Sequence, residues 1–396
     1  MSARAAGPLT GFKVLEFGQI AAGPFAGSLL ADLGADVVKV EKPDGGDDLR
    51  AWSPITEGPT GERFSGNFAS VNRNKRSITV DLKNAVELAK LRQLCTVADV
   101  VLENFRPGVL TRLGLGHEAL RETSPRLIYC SLSGFGQTGP YASKGAFDVV
   151  VQAMSGMMSV TGEETGPPAK CGVPVGDFVA GLYAAYAILA ASVEVRRSGR
   201  GAFIDCSMLG SLLGISALQT SEFFGTGVPA TRLGSAHPRN APYQAFDAAD
   251  RPFVIAAGND KLWAEVCEAT AMPELRHDPR FDTQTLRAKN QRVLADILQK
   301  VFSTRSADAW LAEFDRRGVP CAPINTFADI LSDPHVRHMN WIADVALPNG
   351  VATRTVGFPI GISGYRFDIH RAPPKLGEHN QEVFGEWLES GAKDGR

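Results

Sequence analysis

Gly176-Asp177 stands between a loop rich in glycine and proline, Gly162 to Pro174, and a long apolar stretch, Asp177 to Arg197, closed by Gly199. A carboxylate there can serve in two ways. As a helix N-cap, its oxygens accept the orphan N–H groups of the first turn. As a nucleophile, it is kept ionised near neutral pH by the positive end of the helix dipole, and Gly176 leaves room for a ligand. One residue can do both. A second acid, Asp148, opens another expected helix, Phe147 to Met157.

Cations form the next group. Asn72-Arg73-Asn74-Lys75-Arg76-Ser77 packs three of them into six residues ahead of an alternating strand. Arg106-Pro107-Gly108 follows an expected strand end at Asn104-Phe105, with Arg112 six residues beyond Arg106. Both groups are expected at the rims of strands, where open α/β sheets bind ligands. Scattered cations on a near-neutral chain suit a polyanionic small molecule such as a nucleotide phosphate. The competing reading is a solvated surface patch.

Lys plus Arg is 41 and Asp plus Glu is 43 in 396 residues, for a net charge of −2. That balance argues against a nucleic-acid binder and against an acidic disordered chain. Met1 to Pro8 carries no apolar core behind its charge, so no secretory signal is expected. The apolar run Phe178 to Val193 is shorter than a bilayer of about 30 Å demands, so a buried core helix and no membrane partner are expected. The six cysteines are scattered without a CxxC. A reduced, cytoplasmic enzyme fits, with no metal site.

The elements that must position these residues alternate. Lys13 to Phe17 and Asp36 to Glu41 are strand-like, with a helix from Pro24 to about Leu33 between them. Lys75 to Leu82, Val97 to Leu102 and Leu127 to Leu132 continue the pattern, with helices at Ala85 to Leu94 and Glu118 to Glu122. Repeated βαβ units imply a parallel, doubly wound sheet. Thr226 to Ala241 is a polar connector. Beyond it come two strands, Pro242 to Phe246 and Pro252 to Ala257, and helices at Lys261 to Ala269, Thr285 to Ser303 and Ser306 to Arg317. The expected fold class is α/β. Residues 1–225 are the N-terminal part of a large Rossmann-like domain, 226–330 a small α+β domain, and 331–396 a C-terminal segment returning to the large domain.

The ordered strings Val14-Leu15-Glu16-Phe17, Ala22-Gly23-Pro24, Leu30 to Glu41, Asn74-Lys75-Arg76-Ser77, Asp81-Leu82-Lys83, Glu103 to Gly108, Ser133-Gly134-Phe135-Gly136 and Gly176-Asp177 resemble the family III CoA-transferases. That group includes formyl-CoA transferase and carnitine CoA-transferase, and the resemblance runs through Pro242-Tyr243-Gln244 towards the C-terminus. It implies an enzyme that moves CoA between an acyl thioester and a small carboxylic acid, with no cofactor, CoA itself being substrate. It also implies an interlocked homodimer of two threaded rings. Asp177 matches the family's nucleophile. The CoA contacts map onto Gln19, Ile20, Ala21, Ala22, Lys42, Val80, Lys83, Asn104, Phe105, Arg106 and Arg112. Asp148 is a candidate assisting acid, and Gly258 and Asn259 belong to a candidate lid or donor loop. Formyl-CoA transferase has glutamine where this chain has Ala21, and its glycine run is reduced here to Gly258-Asn259-Asp260. Both departures point away from formyl and oxalate as the acids, and the resemblance leans towards succinyl-CoA and a dicarboxylate.

The implied chemistry is attack of the Asp177 carboxylate on the thioester, giving a mixed anhydride and then an enzyme–CoA thioester. Three alternatives stay open at this stage, one of them a non-enzymatic binding module, which would tolerate loss of Asp177 and show no thioester exchange. An α-methylacyl-CoA racemase needs an acid–base pair, and the string Gly145-Ala146-Phe147-Asp148 lacks the histidine that such enzymes place there. An NAD-dependent oxidoreductase would use Glu41 for the ribose, but Gly18, Gly23 and Gly27 do not make GxGxxG.

Overall fold

The computed structural model describes residues 7–393. Met1 to Ala6, most of the segment expected to carry no secretory signal, lie outside the described residues.

The first eight strands are β1 (Lys13–Phe17), β2 (Asp36–Glu41), β3 (Ile55–Glu57), β4 (Arg63–Ser65), β5 (Arg76–Thr79), β6 (Val100–Glu103), β7 (Ile128–Ser133) and β8 (Ala202–Ser207). Six of them form one parallel sheet in the order β5-β2-β1-β6-β7-β8, while β3 pairs antiparallel with β4. The register places Val14 opposite both Val37 and Val100. Successive residues of a strand face opposite sides, so a sheet covered on both faces needs near-continuous apolar runs. Val14, Val37, Val100 and Leu102 join one core, and Leu15, Val38 and Val101 join the other.

The first eight helices are α1 (Ala22–Asp32), α2 (Gly66–Asn72), α3 (Ala85–Val97), α4 (Val109–Arg112), α5 (His117–Thr123), α6 (Asp148–Met154), α7 (Val175–Ser198) and α8 (Met208–Ile215). Ala26 and Leu30 of α1 and Ala180, Ala184 and Ile188 of α7 fill the first core. Leu91 and Leu94 of α3 fill the second, joined by Val383 and Trp387 of the helix Asn380–Lys393. The C-terminal segment thus returns to the sheet. Each fully buried Val, Leu or Ile contributes about 1.5–3 kcal/mol, and Ile188→Ala would cost about 2–5 kcal/mol through the cavity left behind.

α7 corrects the expectation of a buried core helix. Ala180, Gly181, Ala184, Ala185 and Ile188 are buried, but Tyr186 and Val193 are 71% and 68% exposed. The helix is long and apolar enough to cross a membrane on those criteria alone, with a third of its most apolar stretch buried.

Contacts group the chain into two units, one of residues 1–157, 171–225 and 335–396, the other of 158–170 and 226–334. Residues 158–170 therefore group apart from the 1–225 block in which the sequence places them. The second unit holds β9 (Tyr243–Asp247), β10 (Pro252–Ala256) and β11 (Cys321–Pro323), antiparallel in the order β11-β10-β9. Its core is aromatic, with Phe253, Phe302, Trp310 and Phe314 in mutual ring contact. The expected helix Thr285 to Ser303 is broken at Asn290, whose side-chain amide donates to the Arg280 and Leu286 carbonyls. The hairpin of β12 (Ile342–Ala346) and β13 (Ala352–Val356) belongs to the first unit.

Candidate active site

Parallel strands deliver their carboxyl ends to one edge of the sheet. The loops at that edge carry Gln19 to Ala21 after β1, Lys42 after β2, Val80 to Lys83 after β5 and Asn104 to Arg106 after β6. Strand order reverses between β1 and β6, which in open α/β sheets is where a ligand crevice forms. Asn104 spans that crevice. It accepts from the Gln19 N–H at 2.8 Å and donates to the Gln19 carbonyl at 2.9 Å.

Glu103 sets the second loop from below. Its carboxylate accepts from the Ser131 hydroxyl and, at 2.8 Å, from the Phe105 N–H. Burial pushes it up to about 7 against those two bonds. Arg106 then leaves the strand end and is exposed, its Nη2 lying 3.3 Å from where a side chain on Gly145 would begin. Arg112, also exposed, folds back over Gly108 in the same manner. Neither guanidinium has an acidic partner among the described residues.

The other sequence-identified contacts are mixed. Lys83 is exposed, Val80 has its side chain buried and offers only backbone, and Lys42 is paired with Asp48 at 2.8 Å.

The run Asn72 to Ser77 is not a ligand surface. It precedes and enters β5, at the amino end of that strand, and all six residues are buried. Arg73 pairs with Asp32, Lys75 with Glu16 at 2.7 Å, and Arg76 with Asp36, Glu382 and Glu386. Three adjacent cations looked like one patch because sequence spacing carries no burial; each side chain meets its own acid. Glu41 is likewise unavailable to a ribose. It takes two Arg50 bonds at 2.7 Å and the Ser77 hydroxyl at 2.6 Å. Burial pushes Glu41 upward, but those bonds and the Lys39 charge hold it below the ordinary carboxylate range.

Asp177 lies in the first turn of α7. The helix begins at Val175 with Pro174 as its N-cap, so Asp177 is the third helical residue and caps nothing. Its carboxylate has no hydrogen-bond partner among the described residues. Asp148 supplies the capping instead, accepting from the Gly176 N–H at 2.8 Å. Its other oxygen accepts from the Gln152 amide at 2.7 Å, and the Gln152 carbonyl oxygen accepts from the Cys171 N–H at 2.8 Å. Gly176 does not leave ligand space. A side chain there would meet Val151 at 2.9 Å and Asp148 at 3.0 Å. Burial, and then the nearby Asp148 charge, push Asp177 up to about 6.

Gly181 joins this acid to the first loop. A side chain at Gly181 would begin 2.8 Å from the Ala22 carbonyl, and the Phe25 and Phe178 rings meet edge-on at 4.8 Å. The start of α1 therefore packs against the first two turns of α7, the turns that carry Asp177. Gly258 and Asn259 lie in the second unit. Asn259 caps the helix Asp260–Ala269 by accepting from the Leu262 N–H, and a side chain on Gly258 would begin 3.9 Å from the Asn240 amide nitrogen.

Sequence reasoning missed Lys39, Asp47 and Gln152, all buried beneath this edge. One signal was present, since Lys39 interrupts the apolar run of a central strand.

A family described as CoA-transferase family III matches residues 9–380. The chain is 40% identical to a succinate–glutarate CoA-transferase of Agrobacterium fabrum over 96% of this chain and 95% of that protein. It is 38% identical to the human succinyl-CoA:glutarate CoA-transferase, over 96% of this chain and 86% of that one. A crystal structure of a CAIB/BAIF family protein from Brucella suis superposes with a TM-score of 0.86 at 39% identity, covering 96% of this chain and all of that one.

Proposed function

The chain belongs to CoA-transferase family III, and from that premise we propose that it transfers CoA from succinyl-CoA to a dicarboxylic acid of glutarate's size through Asp177. The observation that carries this is the Asp177 carboxylate itself: without a hydrogen-bond partner among the described residues, held beside Asp148 and raised to about 6. A carboxylate raised that far is ionised at neutral pH yet more basic than a surface acid, which suits a nucleophile. The names of the two relatives support succinate and glutarate as the acids.

The reaction balances as two exchanges. An Asp177 oxygen adds to the thioester carbonyl, the C–S bond breaks, and CoA thiolate leaves a succinyl–aspartyl anhydride. The thiolate adds to the aspartyl carbonyl and expels succinate, forming an enzyme–CoA thioester. The acceptor carboxylate repeats both steps in reverse order, so acyl-CoA leaves and Asp177 is regenerated. Each addition creates an oxyanion that needs donors already in place. The N–H groups of Ala21, Ala22 and Gly23 have no partner among the described residues, as expected for a helix start, and are our candidates. Arg106 and Arg112 would bind the nucleotide phosphates, Arg offering a fixed fork of donors.

We also propose a homodimer. Tyr186 and Val193 of α7, with Leu218 and Phe224 at 64% and 82% exposed, present apolar surface that a second copy would cover. An interlocked arrangement predicts very slow mixing of tagged and untagged subunits; rapid mixing would count against threading.

The test of the transferase reading is incubation with succinyl-CoA and a panel of free acids, with new thioesters identified by mass. Glutaryl-CoA formation by the parent and none by Asp177→Ala is expected. Exchange by a folded Asp177→Ala protein would sink the covalent route.

A further inference from the structure

Beneath the first loop lies a group of charges that the proposed chemistry does not use. Glu16 and Lys39 are fully buried and Asp47 is 2% exposed. The Lys39 ammonium donates to the Gly18 carbonyl at 2.6 Å and to Glu16 at 3.1 Å, and it lies 2.8 Å from Asp47. Asp47 accepts from the Ile20 N–H with both oxygens, at 3.0 and 3.2 Å. Its own backbone N–H is fixed on Glu41 at 2.9 Å. Asn104 takes both backbone groups of Gln19. Three consecutive residues, Gly18 to Ile20, are thus each gripped by a side chain distant in sequence.

The gripped backbone is strained. Ile20 has φ of 64°, the left-handed region. Ile20 is the sole β-branched residue among the described non-glycine residues with positive φ. A Cβ in that region crowds the following carbonyl, and β-branching makes the crowding worse. Left to itself, an isoleucine would leave this geometry.

A buried ion pair is weak evidence of stabilisation, because well-packed apolar residues commonly serve as well. Here the pair does what apolar residues cannot do, since it presents an acceptor to an amide and a donor to a carbonyl within one loop. Burial pulls Lys39 downward, but Glu16, Asp47 and Glu41 overcome it and raise Lys39 to about 12. The clamp therefore stays charged across the working pH range.

We propose that Asp47, held by Lys39, is a positioning residue for the reaction: it clamps the Ile20 N–H and so fixes the strained Gln19–Ala21 backbone against which the acyl-CoA thioester is bound. The role of that loop towards CoA rests on the proposed transferase reading, whereas the clamp is a property of the fold.

The test is a double-substitution cycle in the full-length protein, with thioester exchange followed by mass. Asp47→Ala lowers kcat/KM by at least about tenfold when Ile20 is in place, because the unclamped isoleucine leaves the left-handed region. With Ile20→Gly also present the further loss from Asp47→Ala is under about threefold, because glycine populates that region freely. A merely structural role for Asp47 gives equal losses in both backgrounds, and that result, or no loss at all, overturns the clamp. Amide hydrogen exchange on the unsubstituted protein decides the matter independently of activity or of how the variants fold. The Ile20 amide, in a half-buried loop, should be protected at least about a hundredfold over an unstructured amide, and unprotected exchange there refutes the proposal. A parent without CoA exchange counts against the transferase reading and leaves hydrogen exchange to judge the clamp. An active parent with a flat cycle counts against the clamp alone.

Discussion

The charges on the two sides of β1 are handled in opposite ways. Around β2 and β5, Lys39, Lys75, Arg73 and Arg76 are buried and each is matched to an acid. Around β6 and α7, Arg106 and Arg112 are exposed without an acidic partner among the described residues, and Asp177, Asp148 and Glu103 sit without a cationic partner among them. The first side spends its charges on internal geometry. The second side leaves them unneutralised, as a site awaiting an anionic nucleotide and a thioester carbonyl would. The same residue types therefore serve stability on one side and binding on the other, and substitution can separate the two.

The largest effect is expected at Asp177. Asp177→Ala should reduce thioester exchange by about 10⁴-fold or more, the scale of losing a catalytic nucleophile. Because Asp177 caps nothing, the cost of about 0.5–2 kcal/mol typical of a lost N-cap should be absent. A thermal melt beside the exchange assay checks both halves, and a marked drop in melting temperature would return Asp177 to a structural role.

On the paired side, Arg73→Ala should cost about 3–5 kcal/mol of stability, because Asp32 is left buried without its ion-pair partner, keeping only the Asn74 amide. The folded fraction should bind CoA as the parent does. Chemical denaturation and calorimetric titration measure the two quantities, and a selective loss of CoA affinity would erase the contrast drawn above.

On the unpaired side, Arg106→Ala or Arg112→Ala should weaken acyl-CoA binding by roughly 1.5–3 kcal/mol, the scale of a charged hydrogen bond. Stability should change by less than about 0.5 kcal/mol. Dephospho-CoA should show a smaller loss with whichever arginine holds the 3′-phosphate. Unaltered binding of both ligands by both variants would make these arginines an ordinary solvated surface.

The smallest effect is a shift with pH. The nucleophile must be ionised, so kcat/KM should fall as pH drops through about 6. Asp148→Asn removes the second cause of the raised value and should move that limb to lower pH, burial continuing to act. Stability has the opposite sign. A carboxyl raised on folding favours the fold fully below its unfolded value, 3.8, and loses that contribution as pH rises through about 6. Asp177→Asn should therefore stabilise the protein at pH 7 and lose that advantage near pH 4. Melts at the two pH values test it.

Much of the fold was legible. Strand and helix periodicity located β1, β2 and β7 to within a residue and brought the family's strings into order, since each signal lies in a few neighbouring residues. The site was legible only as identities. Asp177, Arg106 and Asn104 could be named, but not that Asp148 rather than Asp177 caps α7, nor that Gly176 is filled by Val151 and Asp148.

The sequence by itself determined the alternation of elements, the near-neutral balance, the acid at 177 and the family to which these residues belong. Tertiary structure decided which charges are spent internally and which remain for a ligand. The physical reason is that a side chain's electrostatic role depends on its burial and its counter-ion. Those partners lie far away in sequence: Arg73 meets Asp32 forty-one residues upstream, and Arg76 meets Glu382 three hundred and six residues downstream. Lys39, a lone cation in an apolar strand, is intelligible only once Asp47, Glu16 and the Gly18 carbonyl are seen to converge on it.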